Sequence, residues 1–180
     1  MSSSRLDQIL EEIASHSKPP VHLWKPDHQG EIDIRIDVNA NWFHEGEVIA
    51  RDKLVQLFST ILWSEGDDFF LVTPAEKLKI TVEDTPYVIH QMEKVDATWV
   101  ATTNTHEQLI ISEEHPVELR YFLNEWIPYI RIRYDLWGRV NRSIYYQWVE
   151  EALTKDSENL TLTSSGYEFA VAKISDKGGD

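Results

Sequence analysis

The adjacent pair His44 and Glu45 is the first place in this chain where side chains could do chemistry. An imidazole beside a carboxylate can act as a general base near neutral pH, which suits a hydrolase-like reaction. Adjacent residues of an extended segment point to opposite faces, however, so the two side chains need not meet. The flanking Trp42 and Gly46 fit a turn docked on a core, and this structural role is the alternative to catalysis.

The segment TPAEK, from Thr73 to Lys77, predicts a rigid hairpin turn, because a residue before proline is restricted to extended conformations. Glu76 and Lys77 at its tip could recognise a peptide or a partner lobe. They could equally form ion pairs with Arg51 or Asp52 and join two parts of the fold. The sequence leaves both roles open.

Four arginines recur at matching places in two segments. Arg35 and Arg133 lie on predicted strands, and Arg51 and Arg142 open predicted helices. A guanidinium at a helix N-terminus opposes the helix dipole, so its repetition suggests a specific partner such as a carboxylate, a phosphate or a backbone carbonyl. The alternative is a symmetric pair of buried ion pairs that join the two segments.

Aromatic residues accompany these arginines. Arginine interleaved with aromatic rings suits the binding of a peptide or of single-stranded nucleic acid. The same rings also fit a hydrophobic core, since Tyr145 lies on the apolar face of its predicted helix. The aromatic residues in question are Trp42, Tyr134, Trp137, Tyr145 and Tyr146.

The order of predicted elements is repeated along the chain. Asp33–Asp84 and Pro128–Asp176 each contain an Ile-Arg-Ile strand, a turn with a Trp, an Arg-led amphipathic helix and two short strands. A repeat of this size predicts two related lobes with a cleft between them. Two pairs of positions keep an offset of 91 residues: Arg51 with Arg142, and Leu71 with Leu162.

The predicted fold class is α+β, with two lobes built on this duplicated strand–helix–strand–strand motif. The N-terminal lobe covers residues 1–84 and opens with a helix at about residues 4–15, for which Ser4 is a suitable N-cap. The C-terminal lobe covers residues 85–180 and is predicted to be an antiparallel meander followed by a helix. No linker rich in Ser, Gly or Pro separates the lobes, so we expect them to pack tightly. The strands predicted for the meander are Tyr87–Lys94, Ala97–Thr102, Gln108–Ser112 and Val117–Leu123.

The chain of 180 residues carries a formal net charge of −14. This charge disfavours nucleic acid and anionic membranes as partners over most of the surface. Arg131, Arg133, Arg139 and Arg142 nevertheless lie close together in sequence, which predicts either a local basic patch or a set of ion pairs with nearby acids.

The composition also limits the chemistry. The absence of Cys excludes disulfides, thiolate nucleophiles and Cys-ligated metals. The seven His are scattered without metal-ligand spacing, and no nucleotide-binding motif occurs, so we predict neither a metal nor a cofactor. No segment approaches the ~20 apolar residues of a membrane span, and we expect a cytoplasmic protein without a membrane partner.

Nine unusual strings occur in order between Pro19 and Val149. They are PPVHLW, IDIRI, WFHEG, RDKLVQLFSTIL, EGDDFFLVTPAEK, ITVEDTPY, EHPVELR, PYIRIR and NRSIYYQWV. With them the chain resembles the bacterial Domain of Unknown Function 1285 (DUF1285) family, and WFHEG and LVTPAEK are the most specific blocks. The resemblance implies a duplicated α+β core, a second lobe loosely similar to pleckstrin-homology folds and a ligand site between the lobes. It implies no established reaction, and it points to signalling through the binding of a peptide or a nucleic acid.

The sequence therefore predicts a binding module that takes a peptide or protein segment between its two lobes, with a role in signal transduction. Nucleic-acid binding at the arginine and aromatic residues is the first alternative. A hydrolase-like enzyme that uses His44 and Glu45 is the second, and a purely structural subunit is the third. The residues predicted to bind the ligand are Arg35, Trp42, His44, Glu45, Arg51, Thr73, Glu76, Lys77, Arg133, Trp137 and Arg142.

Overall fold

The computed structural model of this protein describes residues 4–15 and 17–173. Within these residues, three α-helices accompany two six-stranded sheets and one two-stranded sheet. None of the helices in this part of the chain is long and apolar enough to cross a membrane. The helices are α1 (Arg5–Ser15), α2 (Asp52–Thr60) and α3 (Arg142–Lys155).

Helix α1 begins with a reciprocal pair of hydrogen bonds. The Asp7 N–H donates to Ser4 Oγ, and the Ser4 N–H donates to Asp7 Oδ2. This cap satisfies N–H groups that a helix start leaves without intrahelical partners. The predicted N-terminal helix and its cap at Ser4 are confirmed.

The first sheet contains two three-stranded meanders. Neighbouring strands are antiparallel except at the centre of the sheet. There the first and the sixth strand in sequence order pair in parallel. Ile34 and Ile36 are buried on the first strand while Arg35 between them is not, as the alternating sequence predicted. The strands are β1 (His28–Ile36), β2 (Trp42–His44), β3 (Glu47–Val48), β4 (Leu62–Glu65), β5 (Asp68–Val72) and β6 (Glu76–Val82), in the spatial order β3-β2-β1-β6-β5-β4.

The second sheet repeats this topology strand for strand. Two meanders are again joined by a parallel pair between the first and last strands. At that junction a Cβ on Gly138 would lie only 3.2 Å from the Tyr87 Cβ, so the close approach of the two strands favours glycine. The strands are β7 (Tyr87–Val95), β8 (Thr98–Thr103), β9 (Gln108–Ile110), β10 (Val117–Phe122), β11 (Glu125–Arg133) and β12 (Leu136–Val140), in the spatial order β10-β11-β12-β7-β8-β9.

The predicted organisation as two similar α+β lobes is confirmed, but the repeated unit differs from the predicted one. The matching sheets span residues 28–82 and 87–140, instead of Asp33–Asp84 and Pro128–Asp176. The predicted order of elements does occur twice. After α2, however, the chain re-enters the first sheet, whereas after α3 it forms a separate hairpin of β13 (Thr161–Ser164) and β14 (Tyr167–Ala170).

Two details of the sequence interpretation change accordingly. Leu71 lies on β5, the second strand after its helix, whereas Leu162 lies on β13, the first strand after its helix. The two residues are therefore not equivalent, because α3 is longer than α2. The predicted meander of the second lobe is also interrupted, since β9 and β10 do not pair and β7 instead pairs in parallel with β12.

One hydrophobic core runs through both lobes. Ile36 and Leu62 of the first lobe and Ile89 and Ile132 of the second belong to the same cluster of buried side chains. Burial of apolar surface contributes about 25 cal/mol per Å², so a shared core holds the lobes together strongly. The expected tight packing of the lobes is confirmed.

Helix α1 packs on the second sheet, although it precedes the first sheet in sequence. Ile9 is fully buried against Val95 and Val100, and Ile110 of β9 packs against the same cluster. The sequence interpretation placed this helix in the N-terminal lobe. In the structure it connects the start of the chain to the C-terminal lobe.

Candidate functional site

A cavity of about 500 Å³ lies where the two lobes meet. One wall is formed by helix α2 of the first lobe, and the opposite wall by β9 and the end of β11 of the second lobe. Pockets of this volume hold ligands of the size of a drug or a short peptide. The lining residues are Ile13, Lys18, Gln56, Ser59, Thr60, Thr105, His106, Glu107, Gln108, Leu109, His115, Ile132 and Arg133.

Arg133 crosses the floor of this inter-lobe cavity. Its Nη2 donates to the carbonyl oxygen of Ser59 and to the Tyr87 hydroxyl at 2.8 Å, and its Nη1 donates to Glu107 Oε2 at 2.9 Å. The Ser59 carbonyl is in the last turn of α2, where carbonyls lack intrahelical partners and a cation is favoured by the helix dipole. The guanidinium therefore ties the end of α2 to the second lobe.

The Tyr87 hydroxyl completes this network. It donates to the same Ser59 carbonyl oxygen at 2.9 Å, and the side chain is fully buried. Burial raises the pKa of Tyr87 well above its usual value, because the anionic form would lose its hydration. The hydroxyl consequently keeps its proton and stays a donor.

The charges at the cavity floor sum to a net positive value. Glu107 is approached by two cations, Arg133 at 2.9 Å and Lys18 at 3.3 Å, and the three side chains are 16%, 14% and 30% exposed. Such partly buried charges are screened less than surface charges. A single carboxylate between two cations leaves one positive charge at the floor of the cavity, in a protein whose net charge is −14.

Strand β9 is an edge strand, and two of its residues, Gln108 and Leu109, line this cavity. The Thr103 N–H donates to Glu107 O, and the Ile111 N–H donates to Trp99 O, so these alternate residues of the β9 segment face β8. The N–H and C=O groups of Gln108 and Ile110 therefore point away from β8. Among the described residues, none forms a hydrogen bond with these outward backbone groups. They form an open site for another strand.

Two further side chains of the cavity bear on its chemistry. Gln108 Oε1 is buried without a hydrogen-bond partner in the described part of the chain. His115 Nδ1 lies 3.0 Å from the carbonyl oxygen of Arg131, and because a carbonyl only accepts, this nitrogen carries a proton. In the neutral ring His115 Nε2 is then an acceptor.

His106 lines the cavity, and His90 lies beside it. His106 Nε2 is 3.0 Å from Asp52 Oδ2 at the start of α2, so this contact also spans the two lobes. The rings of His90 and His106 are 6.2 Å apart in an edge-to-face arrangement. Burial and repulsion by His106 lower the pKa of His90 below its usual value.

A second buried ion pair joins the lobes away from the cavity. Arg139 Nη1 donates to Asp84 Oδ2 at 2.5 Å, and its Nη2 donates to Val38 O at 2.5 Å. The Tyr129 hydroxyl donates to the same Asp84 carboxylate at 3.0 Å. This cluster fixes the β1–β2 connection on the second sheet, and we assign it a structural role.

The structure places only one of the predicted ligand-binding residues, Arg133, in the inter-lobe cavity. The other three arginines do not form a set with it. Arg35 forms a surface ion pair with Glu83 at 2.6 Å, and Arg142 lies 3.6 Å from Glu125. Arg51 is exposed just before α2, and no acidic side chain among the described residues pairs with it. The expectation of a symmetric pair of buried ion pairs is wrong, because the Arg35 side chain is 38% exposed whereas that of Arg133 is 14% exposed.

The predicted pair His44 and Glu45 lies at the tip of the β2–β3 hairpin. Glu45 and Gly46 both have positive φ, 50° and 81°, which is the geometry of a tight two-residue hairpin turn. Both predicted side chains are exposed, and neither lines the inter-lobe cavity. The geometry therefore favours the turn role over catalysis. Trp42 beside them is buried and stacks on Phe58 of α2, as a core residue does.

The TPAEK segment forms the predicted turn between β5 and β6, but its tip is Pro74 and Ala75, and Glu76 and Lys77 are the first residues of β6. Thr73 Oγ1 accepts hydrogen bonds from the N–H groups of Ala75 and Glu76, which stabilises the turn. The suggested ion pairs with Arg51 or Asp52 are absent among the described contacts. Lys77 instead pairs with Glu65 at 2.5 Å, and Glu76 lies 3.9 Å from His28.

Lys77 lines a different cavity, of about 280 Å³, beside Trp24 and Trp63. Its ammonium lies 4.4 Å from the centre of the Phe70 ring, so the cation is already held by a carboxylate and an aromatic ring. Trp137 is buried on the second sheet under the guanidinium of Arg120, which is 4.1 Å from its ring centre. Neither residue reaches the inter-lobe cavity.

Within the described residues, no group of three or more His, Asp or Glu side chains is placed to hold a metal ion. The residues that build the inter-lobe cavity were largely missed by sequence reasoning. Lys18, Glu107 and Tyr87 contact Arg133 or one another only because distant parts of the chain meet. An isolated lysine or glutamate carries no local pattern that would reveal such a contact.

The architecture defines a two-domain α+β protein whose lobes share one sheet topology. Residues 19–85 match the family model described as "Domain of unknown function (DUF1285), N-terminal domain", and residues 86–171 match that of "Protein of unknown function (DUF1285), C-terminal domain". The chain therefore belongs to the DUF1285 family. Among curated proteins, none matches this chain.

Two solved structures are similar to this chain, and both are DUF1285 family proteins. The protein from Silicibacter pomeroyi DSS-3 is 31% identical, with a TM-score of 0.79 over 96% of this chain and 97% of its own. The protein from Shewanella baltica OS155 is 27% identical, with a TM-score of 0.54 over 66% of this chain and 91% of its own.

Proposed function

We propose that this protein binds an extended peptide or protein segment in the inter-lobe cavity, as an additional strand on the outer edge of β9. The observation that carries the proposal is the set of outward N–H and C=O groups of Gln108 and Ile110, which have no partner in the described chain. Gln108 also lines the cavity. Strand addition uses such groups for affinity and neighbouring pockets for specificity.

The proposal favours a peptide over nucleic acid. Three of the arginines that suggested a nucleic-acid surface pair with acidic side chains: Arg35 with Glu83, Arg139 with Asp84, and Arg142 with Glu125. A nucleic-acid site needs cations that are available to phosphates. A role in signal transduction, a cytoplasmic location and a pleckstrin-homology-like character of the second lobe belong to the same proposal and stay predictions from the sequence.

Proline at position 108 tests strand addition directly. The Gln108 N–H points away from β8, so Gln108→Pro removes an outward donor without breaking the β8–β9 ladder, and proline is tolerated on such an edge. Peptides would be selected from a random displayed library with the wild-type protein, and their affinities measured by fluorescence anisotropy. We expect affinity to fall at least about fivefold in Gln108→Pro, since one hydrogen bond contributes about 1 kcal/mol.

Gln108→Ala is the matched control, because it removes the same side chain and keeps the N–H. We expect it to bind the selected peptides within about twofold of the wild type, and urea unfolding of all three proteins checks that the fold is intact. Failure to enrich any peptide would contradict the proposal. So would equal affinity of Gln108→Pro and Gln108→Ala.

A further inference from the structure

We propose that the bound segment ends inside the inter-lobe cavity, with its C-terminal carboxylate beside Lys18 and Arg133 and its chain antiparallel to β9. This inference rests on the strand addition proposed above and specifies its ligand as a free C-terminus. Three features of the cavity carry it: its charge, the fixed position of Arg133 and the direction of β9.

The charge at the floor suits one carboxylate. Arg133 has five N–H donors and uses three of them, on Glu107, the Ser59 carbonyl and the Tyr87 hydroxyl. Lys18 has three donors and one ion-pair partner, Glu107, among the described residues. Donors of both cations thus stay available, and Glu107 neutralises only one of the two charges. A second carboxylate would neutralise the other.

Arg133 also offers a fixed cation to the end of a bound chain. Its guanidinium spans from β11 to the last turn of α2, and the Tyr87 hydroxyl bonds the same Ser59 carbonyl. These contacts join the two lobes beside the cavity that Arg133 lines. The guanidinium is therefore held in place before a ligand binds.

The direction of the bound segment follows from the position of the cations. Glu107, which both Lys18 and Arg133 contact, immediately precedes the first residue of β9. The cations thus lie at the N-terminal end of this strand. A segment whose C-terminus reaches them must run opposite to β9. Gln108 and Ile110, two residues apart, then pair with alternate residues of the ligand, about 7 Å apart.

The test compares peptides that differ only in their C-terminal group. Random peptides would be synthesised on an array in pairs, one member with a free C-terminal carboxylate and the other with a C-terminal amide, and probed with the full-length protein. For the peptides that bind, anisotropy titrations of both members give the affinity ratio. We expect the amide to bind at least tenfold more weakly, and N-terminal acetylation to change affinity less than twofold.

Lys18→Ala ties the effect to the cavity. We expect this variant to reduce the carboxylate-to-amide affinity ratio at least threefold, whereas Lys53→Ala, which removes an exposed lysine of α2 outside the cavity, leaves the ratio unchanged. Unfolding curves of both variants show whether the fold is retained, and Lys18 is chosen instead of Arg133 because Arg133 holds the lobes together.

The outcomes separate the two proposals. Peptide pairs that bind equally well with either end group overturn the capture of a C-terminus and leave strand addition standing. A carboxylate preference that Lys18→Ala does not change also overturns the assignment to this cavity. If no peptide of either kind binds, the proposed strand addition is wrong. The proposed capture of a C-terminal carboxylate is then wrong as well.

Discussion

At the scale of single residues, the carbonyl oxygen of Ser59 joins the two lobes by accepting hydrogen bonds from both Arg133 and the Tyr87 hydroxyl. The Tyr87 side chain is fully buried and that of Arg133 is only 14% exposed, so the loss of either donor leaves a polar group with little water to replace its partner. Such a loss costs more than the net contribution of an average hydrogen bond. The network therefore fixes the floor of the inter-lobe cavity as well as the lobe junction.

Removal of one hydroxyl measures this contribution. We expect Tyr87→Phe to lower the free energy of unfolding by about 1–2 kcal/mol, because Arg133 loses an acceptor while the ring stays packed. Urea unfolding monitored by tryptophan fluorescence measures the change. Tyr121→Phe is the control, since that side chain is 63% exposed, and its expected change is within about 0.5 kcal/mol. Equal effects of the two substitutions would contradict the role of the network.

The residue-scale predictions from sequence succeeded where the signal is local. The cap at Ser4 and the turn that begins at Thr73 depend on neighbours within three or four positions, and both are present. The repeated pattern in the sequence indicates Arg133 as a candidate. It does not indicate its partners Tyr87 and Glu107, because such contacts depend on how the sheets fold and leave no periodicity in the sequence.

At the scale of elements, helix α1 connects the start of the chain to the second sheet. Its buried residue Ile9 packs on Val95 and Val100, while Ile13 one turn later lines the inter-lobe cavity. Lys18 follows shortly after the helix, so the docking of α1 also places a cation at the cavity floor. The helix thus positions part of the candidate site.

Truncation of one side chain tests this docking. We expect Ile9→Ala to lower the free energy of unfolding by about 2–4 kcal/mol, since a fully buried isoleucine leaves a cavity. Hydrogen exchange in α1 and β9 should increase in the same variant. Leu10→Ala, at a position that is 45% exposed, should cost about 0.5 kcal/mol or less. An unchanged stability of Ile9→Ala would show that the helix is not docked as described.

The elements themselves were largely predictable, and their pairing was not. The predicted strands Tyr87–Lys94 and Val117–Leu123 match the observed strands within a residue or so. The parallel pair of β7 with β12, by contrast, joins strands that are distant in sequence. The alternation of apolar and polar residues along a strand shows which face of the strand is buried. It does not show which other strand lies beside it. The sequence therefore indicates a repeat through the two helices that begin with arginine, and it does not reveal the repeat of the two sheets.

At the scale of the whole molecule, an acidic protein holds a small positive region between its lobes. The net charge is −14, whereas the floor of the inter-lobe cavity contains Lys18 and Arg133 against one carboxylate. An anionic ligand is repelled at long range by the body and attracted only close to this floor. Because the repulsion between exposed charges is screened by salt, added salt should speed the entry of such a ligand.

The histidines at the lobe junction predict a dependence of stability on pH. The pKa of His90 in the folded protein is lowered by burial and by His106, so the unfolded chain binds the proton more tightly. Protonation therefore favours unfolding, and stability should decline as the pH falls below about 6.5, the usual pKa of histidine. Urea unfolding between pH 8 and pH 5 measures the decline, which should be smaller in His90→Asn. Parallel curves for the two proteins would contradict this assignment.

The parallel pairs at the centre of both sheets also set the order in which the chain can fold during its synthesis. Gly30 lies opposite Leu78 and Tyr87 lies opposite Gly138, so neither sheet can close until its last strand has left the ribosome. Pairing between strands so distant in sequence is slow, since a long loop must be ordered first. The core that the lobes share stays incomplete until β11 and β12 arrive, because it includes Ile132 and Val140. A nascent chain of this protein should therefore depend on chaperones up to that point and become resistant to proteases in one late step.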